Sequence, residues 1–194
     1  MTKKFQFNKV PEQILWLMQN GAVGILPTDT VYGVVTQVNN LESVKRLYAL
    51  KSREAKPGTI IAANTQQLID MGVDKRHIDI ANVYWPNSTS VVLPVGESLA
   101  YIHQGINSLA FRVVSDPELV LLLELTGPLL TSSANSPGEP VANDISQARN
   151  YFGDSVDFYI DGGDLVSRQA STVIKVDKSG ISILRDGAVK IECY

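Results

Sequence analysis

Small polar side chains crowd one short segment of the chain, positions 27–33, which follows the apolar run 22–26. Thr28, Asp29, Thr30 and Tyr32 supply aliphatic hydroxyls, a carboxylate and a phenol. Loops that follow the strands of an α/β sheet commonly bind ligands, so this segment can present donors and acceptors to a small polar molecule. The alternative is an ordinary turn whose side chains bond to their own backbone.

Basic residues are concentrated at positions 45–56, where Glu54 is the single acid among five Lys and Arg residues. Lys51 and Arg53 stand where a predicted helix ends. Arginine offers a planar fork to phosphate, and lysine offers a compact charge. Such a loop can hold a triphosphate, although the cations could instead cap the helix dipole and stay solvated. No G-x-x-x-x-G-K-[ST] sequence occurs, which excludes a Walker A loop.

Two further regions carry polar groups that could meet an anion. Positions 131–138 read Thr-Ser-Ser-Ala-Asn-Ser-Pro-Gly, and small side chains let backbone N–H groups approach an anion closely. Arg112 lies on a predicted apolar strand, where an arginine costs desolvation unless it meets an anion. Ser171 and Arg185 stand near a predicted hairpin. The alternatives are a polar surface loop for 131–138, and a structural ion pair or a surface position for Arg112.

Other familiar catalytic groups are scarce. His77 and His103 are the only histidines, and neither has a sequence neighbour that suggests a triad or a metal site, so we expect both at the surface. Cys193 is the only cysteine, which excludes an intrachain disulfide and a C-x-x-C metal knuckle. The formal net charge is -3, so nucleic-acid binding would need a local basic patch.

The composition is typical of one globular α/β domain, which we predict to span residues 1–194. Hydrophobic residues make up 44% of the 194 residues and charged residues 19%, which is enough for one sizeable core. Positions 1–7 are polar, and no run approaches the roughly 20 apolar residues that span a bilayer. We therefore expect a cytoplasmic protein with no membrane segment.

Hydrophobic periodicity predicts alternating helices and strands, and hence a mixed sheet flanked by helices. Asn40, Asp116 and Asp144 are predicted helix caps. The predicted helices are 11–20, 41–50, 65–71, 78–84, 118–125 and 145–152, and the predicted strands are 22–26, 59–63, 90–95, 109–114, 129–131 and 158–161, with a hairpin at 172–184.

In this order, the polar segments resemble the signatures of the YrdC-like family, the threonylcarbamoyl-AMP synthases, over most of the chain from about Gly21 to Gly187. Positions 27–33 match P-T-[DE]-T-V-Y-G, positions 51–53 match K-x-R, and positions 108–113 resemble [ST]-x-A-x-R-V. Ser-Ala-Asn at 133–135 with Gly138 matches the S-A-N-x-S-G loop, and segments 161–163, 171–173 and 183–187 follow in family order. Each motif alone is weak, but their common order is specific, and the length matches the short form of the family.

The resemblance implies a twisted α/β sheet with a large concave, positively charged cavity. It implies that four residues surround L-threonine, namely Thr30, Arg112, Ser132 and Ser171. It implies that seven residues surround ATP, namely Lys51, Arg53, Pro57, Ser108, Ala134, Ala142 and Arg185. Lys51 and Arg53 are the expected catalytic residues, because cations at the phosphates neutralise charge that grows in the transition state.

The implied reaction joins L-threonine, bicarbonate and ATP into threonylcarbamoyl-AMP with release of pyrophosphate. Mg²⁺ would arrive with ATP, and the resemblance implies no protein metal site. The product would pass to a separate transferase complex that modifies tRNA, and the chain itself could bind tRNA. The substrate supplies its own nucleophile, which agrees with the scarcity of catalytic Ser, Cys and His groups.

Some positions depart from the family pattern, and two other functions stay open. Glu54 follows K-x-R where proline is usual, Ala62 replaces a histidine of longer members, Asn87-Ser88 replaces Gly-Pro, and Ser90 replaces a threonine. One alternative is a module that binds double-stranded RNA or tRNA without chemistry. The other is a related carbamoyl-adenylate enzyme with a different acceptor, which would lose the dependence on threonine.

Overall fold

The computed structural model describes residues 12–52, 56–177 and 180–191. Arg53, Glu54, Pro11 and Cys193 therefore lie outside the described residues. Within these ranges the α-helices are α1 (Glu12–Gln19), α2 (Leu41–Leu50), α3 (Thr65–Asp70), α4 (Lys75–Ala81), α5 (Ala100–His103), α6 (Pro117–Thr126) and α7 (Ile145–Phe152). The strands are β1 (Gly24–Pro27), β2 (Tyr32–Gln37), β3 (Thr59–Ala62), β4 (Thr89–Pro94), β5 (Ser108–Val113), β6 (Leu129–Ser133), β7 (Phe158–Tyr159), β8 (Thr172–Asp177) and β9 (Gly180–Arg185).

In the described part of the chain, the strands form one nine-stranded sheet in the order β7-β1-β2-β6-β3-β5-β4-β8-β9. β1 and β7, β3 and β5, and β4 and β8 pair in parallel, and the other neighbours pair antiparallel. The predicted single-domain α/β fold with a mixed sheet flanked by helices is thus confirmed.

Side-chain alternation along the central strands divides the core into two layers, because successive residues of a strand point to opposite faces. Ile25, Val34 and Ile60 belong to the larger core, which also contains residues of α2, α3, α4, α5 and α7. Their neighbours Leu26, Val35 and Ile61 belong to the smaller core, with residues of α1 and α6. Helices therefore cover both faces of the sheet.

Side-chain caps fix the helices whose ends matter most for the site. Asn40 accepts a hydrogen bond from the backbone N–H of Ser43 at 3.1 Å at the start of α2. Asp144 accepts from the N–H of Gln147 at 2.8 Å at the start of α7. Because each cap satisfies an N–H group that has no partner inside the helix, both helices begin at the predicted residue.

Three elements differ from the predictions. Helix α5 was not predicted, because its four residues are too few to show a helical period. Strand β2 was not predicted, because its first residues belong to the polar segment 27–33 that reads as a turn. The predicted helix 78–84 begins earlier, at Lys75, because Asp74 caps it by accepting from Arg76 N–H, and its last residues, Asn82–Tyr84, form a 3₁₀ helix. No helix in the described ranges is both long enough and apolar enough to cross a membrane.

Candidate active site

A cavity of about 390 Å³ opens over the central strands of the sheet. Gly33, Thr59 and Thr131 lie on its floor, each two residues along its strand from Val35, Ile61 or Leu129 of the smaller core. Side chains two apart share a face, so the cavity lies on the α1/α6 face of the sheet. On these three strands the large apolar residues of the smaller core give way to Gly33, Thr59 and Thr131 at the cavity.

The floor requires a glycine at position 33. A Cβ built on Gly33 would lie 2.5 Å from Oγ1 of Thr131, which is too close for an unshifted side chain. Gly33 pairs with Ser133 across β2 and β6, and the missing side chain lets the hydroxyl of Thr131 stand beside the strand. The last residue of the P-T-D-T-V-Y-G segment is therefore a close-packing position of the floor.

The turn before β2 fixes which way its hydroxyls point. Thr28 Oγ1 donates to the carbonyl of Val31 at 2.7 Å and accepts from the N–H of Thr30 at 3.2 Å. The hydroxyls of Thr28 and Thr30 are 3.0 Å apart. Since the proton of Thr28 is already committed to Val31, Thr30 must donate in this pair. The lone pairs of Thr30 are left to accept from a ligand in the cavity.

Arg112, on β5, lies against the same turn. Its Nη2 donates to Oδ1 of Asp29 at 2.7 Å, and the two side chains are only 3% and 2% exposed. Asp29 Oδ2 and Arg112 Nε are buried with no hydrogen-bond partner among the described residues. The ion pair that the sequence left open for Arg112 does form, yet the arginine also lines the cavity.

A short series of hydrogen bonds runs from Arg112 towards β9. Arg112 Nη1 donates to Ser90 Oγ at 3.2 Å, and Ser90 Oγ lies 3.0 Å from Ser171 Oγ. Arg185 Nη2 donates to Ser171 Oγ at 2.9 Å, and its Nε and Nη2 donate to the carbonyl of Ser171 at 3.0 and 2.8 Å. Ser171 and Arg185 both line the cavity, and Ser90 lies beneath it, completely buried.

Lys51 is buried at the end of α2, and its ammonium holds the polar loop that follows β6. Nζ donates to the carbonyl of Ser133 and to Oδ1 of Asn135, each at 2.8 Å, and to the carbonyl of Asn135. Ser133 Oγ donates to the same Asn135 Oδ1 at 2.7 Å. Lys51 therefore shapes the segment that contains the predicted ATP-binding residue Ala134.

The structure brings most of the predicted site residues to one cavity. Those that line it are Thr30, Pro57, Ser108, Arg112, Ser132, Ser171 and Arg185. Lys51, Ala134 and Ala142 are not among the described residues that line it. Ala134 and Ala142 are buried and joined by a hydrogen bond from Ala142 N–H to the carbonyl of Ala134 at 2.9 Å. The roles of all these residues, and of Arg53, stay predictions.

Tyr32 joins the floor of the cavity to the Asp-Gly-Gly segment at 161–163. Its hydroxyl donates to the carbonyl of Gly163 and accepts from the N–H of Gly162, both at 2.8 Å. Burial raises the pKa of the Tyr32 phenol to about 12, and the neighbouring carboxylate of Asp161 acts in the same direction. The phenol therefore stays protonated and holds this segment against β2.

His103 contradicts the prediction that both histidines lie at the surface, because it is 1% exposed. Its Nδ1 accepts from the backbone N–H groups of Gly105 and Asn107, at 3.1 and 3.3 Å. The ring thus fixes the turn that leads into β5, a role that no sequence pattern near it signals. Within residues 12–52, 56–177 and 180–191, no three His, Cys, Asp or Glu side chains are grouped so as to hold a metal ion.

Several residues of the site were not predicted from the sequence. Asp29 was noted only as a carboxylate of the turn, and Ser90 only as a departure from the family pattern. Thr59 and Thr131 line the cavity but were assigned no role. Neither β3 (Thr-Ile-Ile-Ala) nor β6 (Leu-Leu-Thr-Ser-Ser) alternates between polar and apolar residues, so no periodicity signals them.

The mixed sheet and the cavity over its central strands define an α/β protein with a candidate ligand site. The sequence model of the Sua5/YciO/YrdC family, described as "Telomere recombination", matches residues 16–187. The chain belongs to this family.

Two relatives and one solved structure show how close the likeness is. The threonylcarbamoyl-AMP synthase of Stutzerimonas stutzeri is 32% identical, over 87% of this chain and 93% of its own length. That of Pseudomonas aeruginosa strain UCBPP-PA14 is 33% identical, over 82% and 88%. The crystal structure of P. abyssi Sua5 complexed with L-threonine superposes with a TM-score of 0.80 at 28% identity, over 90% of this chain. The match spans 53% of that longer protein.

Proposed function

We propose that this chain makes threonylcarbamoyl-AMP from L-threonine, bicarbonate and ATP, with release of pyrophosphate. The observation that carries the proposal is the convergence of Thr30, Arg112, Ser132 and Ser171 on one cavity. They are the four residues assigned to L-threonine from the family signatures. Relatives that match over nearly their whole length are named as synthases of this compound, and a more distant family member has been crystallised with L-threonine.

The polar groups of the cavity fit a zwitterionic amino acid. Arg112 offers a cation for the carboxylate, and Thr30 offers lone pairs for a donor such as an ammonium or hydroxyl group. Ser132 lines the cavity through its backbone, because alternation along β6 turns its side chain, like that of Leu130, to the larger core. Arg112 Nε is buried without a hydrogen-bond partner among the described residues, and a buried donor left unpaired is expensive, which favours a ligand that accepts from it.

The reaction then depends on holding two anions together. Bicarbonate takes up a proton and loses water to give carbon dioxide, and the amine of threonine adds to it and releases a proton to give a carbamate. A carbamate oxygen then attacks the α-phosphorus of ATP. A P–O bond forms to the carbamate as the bond to pyrophosphate breaks. Positioning of this kind can lower a barrier by about 7–11 kcal/mol. We assign Arg185, Lys51 and Arg53 to the nucleotide side, with Mg²⁺ entering as the ATP complex.

The biological setting is part of the proposal. The product would supply a separate transferase that modifies tRNA, in the cytoplasm, and the chain could itself contact tRNA. The charged residues among the described lining of the cavity are Arg112 and Arg185, and the carboxylate of Asp29 balances the first of them.

Pyrophosphate release tests the proposal. The purified chain is given Mg·ATP with L-threonine and bicarbonate each present or omitted, and L-serine replaces L-threonine in a parallel series. We expect release that needs both bicarbonate and an amino acid and is fastest with L-threonine. Release with bicarbonate alone would favour a different acceptor. Absence of release in every mixture would favour the RNA-binding alternative, which predicts salt-sensitive binding of tRNA instead.

A further inference from the structure

Two hydroxyls connect the two arginines of the cavity. Arg112 Nη1 donates to Ser90 Oγ, Ser90 and Ser171 share a hydrogen bond, and Arg185 Nη2 donates to Ser171 Oγ. The four groups span β5, β4, the residue before β8, and β9. Arg112 stands on the side assigned to the amino acid and Arg185 on the side assigned to the nucleotide. Ser90 is 0% exposed, and it is not among the described residues that line the cavity.

The direction of the Ser90–Ser171 bond follows from the protons available. An arginine can only donate, so each serine already accepts one hydrogen bond. If Ser171 donated to Ser90, the proton of Ser90 would be buried without a described partner. A buried donor left unpaired costs about 1–3 kcal/mol. Ser90 therefore donates to Ser171, and the proton of Ser171 is left for the cavity. Ser171 can then offer a hydrogen bond only to an acceptor, such as a carboxylate, carbamate or phosphate oxygen.

On the basis of the function proposed above, we propose that Ser90 is a positioning residue that couples the binding of amino acid and nucleotide. Its hydroxyl holds the guanidinium of Arg112 and sets Ser171 as a donor to the cavity. Ser171 in turn accepts from Arg185, so a ligand that orders either arginine also orders the other. Each substrate then binds more tightly when the other is present, since coupling of this kind is reciprocal.

Calorimetry on the full chain can measure this coupling. The probes are L-threonine and α,β-methylene-ATP with Mg²⁺, and the dissociation constant of threonine is measured with and without the nucleotide analogue. In the unmodified protein we expect the analogue to tighten threonine binding by about fivefold or more. The coupling ratio is the dissociation constant of threonine without the analogue divided by that with it. In Ser90→Ala we expect this ratio to be no more than about twofold, whatever the absolute affinity for threonine becomes. In Ser90→Thr, which keeps the hydroxyl, the ratio should be restored.

The neighbouring residue provides the control. Thr89 is also fully buried on β4, but its Oγ1 has no hydrogen-bond partner in the described structure, so Thr89→Val removes a hydroxyl outside the network. This variant should keep the full ratio. If Ser90→Ala does not fold, Ser90→Cys replaces it, because a thiol of similar size hydrogen-bonds only weakly.

The outcomes separate the two proposals. A Ser90 variant that keeps the full ratio, or an unmodified protein that binds both ligands without coupling, would overturn the role of Ser90 and leave the synthase proposal standing. An unmodified protein that binds neither ligand would overturn both. Loss of the ratio in Thr89→Val as well would assign the effect to general loosening of β4.

Discussion

The guanidinium of Arg112 donates to the carboxylate of Asp29 at 2.7 Å, although 83 residues separate them in the chain. Both side chains are almost completely buried, so each charge depends on the other for compensation. The pair fixes the turn before β2 against β5, and these two elements carry Thr30 and Arg112. The same ion pair therefore contributes to the stability of the fold and positions two residues of the proposed threonine site.

Removal of the carboxylate should destabilise the protein strongly. We expect Asp29→Ala to lower the free energy of unfolding by about 3–5 kcal/mol, because it leaves the cation of Arg112 buried and unpaired. Asp29→Asn keeps the shape and one acceptor, so it should cost less. Urea denaturation at pH 7 measures both. The control is Asp79→Ala, which breaks the exposed pair with Lys75 and should change stability by less than about 1 kcal/mol. Equal losses in Asp29→Ala and the control would contradict a buried pair.

Substitution of Lys51 should affect both the loop after β6 and turnover. Lys51→Met removes the ammonium from the carbonyls of Ser133 and Asn135 and leaves Asn135 Oδ1 with Ser133 Oγ as its described donor, and we expect a loss of about 1–3 kcal/mol in stability and at least about tenfold in kcat. Lys51→Arg should not rescue it, since a planar fork does not match three oxygens around one ammonium. Lys45→Met, exposed on the same helix, is the control.

Normal kcat in folded Lys51→Met would remove Lys51 from the site. Arg53→Ala should also lower turnover strongly and leave the fold intact, a prediction that rests on the K-x-R signature alone. Near-normal kinetics in that variant would withdraw the assignment of Arg53.

Loss of the Ser132 hydroxyl should change neither the fold nor substrate affinity. Its Oγ is buried without a hydrogen-bond partner among the described residues, so Ser132→Ala should leave stability unchanged or raise it by up to about 1 kcal/mol. The KM for L-threonine should stay the same, because the side chain points to the larger core and the backbone of Ser132 still lines the cavity. Thr89→Val should have the same small effect on stability and none on KM. A KM that rises about tenfold in Ser132→Ala would show that the hydroxyl itself binds L-threonine.

Tyr32 should make stability fall at high pH. Its pKa is raised from 10.0 to about 12, so the unfolded chain loses this proton first and the folded chain holds it longer. The resulting stabilisation is complete below pH 10 and is lost as pH rises to about 12. For a fully buried phenol it is on the order of 2–3 kcal/mol.

The measurement is the difference in unfolding free energy between the unmodified protein and Tyr32→Phe, from pH 9 to 12. The difference is needed because burial also raises the pKa of Tyr101 and Tyr159. We expect the difference to shrink above pH 10. A difference that stays constant to pH 12 would show that Tyr32 has an ordinary pKa.

Local signals were enough to predict every described α-helix except the four-residue α5, and most strands. Asn40 and Asp144 cap α2 and α7 through hydrogen bonds to residues three positions further along the chain. The apolar positions of each helix begin within its first turns, so the cap and the periodicity indicate the same start. Strand β2 was missed because its pairing with β6, about a hundred positions away, decides its conformation. The polar segment 27–33 contains both the turn and the first residues of β2. Only pairing with the neighbouring strands shows where the turn ends and the strand begins.

In the candidate site, too, some residues could be predicted from the sequence and others could not. The ordered family signatures identified seven residues that line one cavity, among them Thr30 and Arg185. They gave no sign that Asp29 would pair with Arg112, or that Ser90 would lie between Arg112 and Ser171. Those contacts join strands far apart in sequence, so they depend on the register of the sheet. Local reasoning also placed His103 at the surface, because the backbone N–H groups that hold it become neighbours only in the folded turn.

Direct detection of threonylcarbamoyl-AMP separates the synthase from the two alternative functions. The purified chain is incubated with Mg·ATP, L-threonine and either ordinary or ¹³C-labelled bicarbonate, and the nucleotides are separated and weighed by mass spectrometry. We expect an AMP conjugate that contains threonine and a carbamoyl carbon, and whose mass rises by one carbon isotope unit with labelled bicarbonate. A folded protein that yields no such conjugate, or one without the label, would contradict the proposed synthase activity.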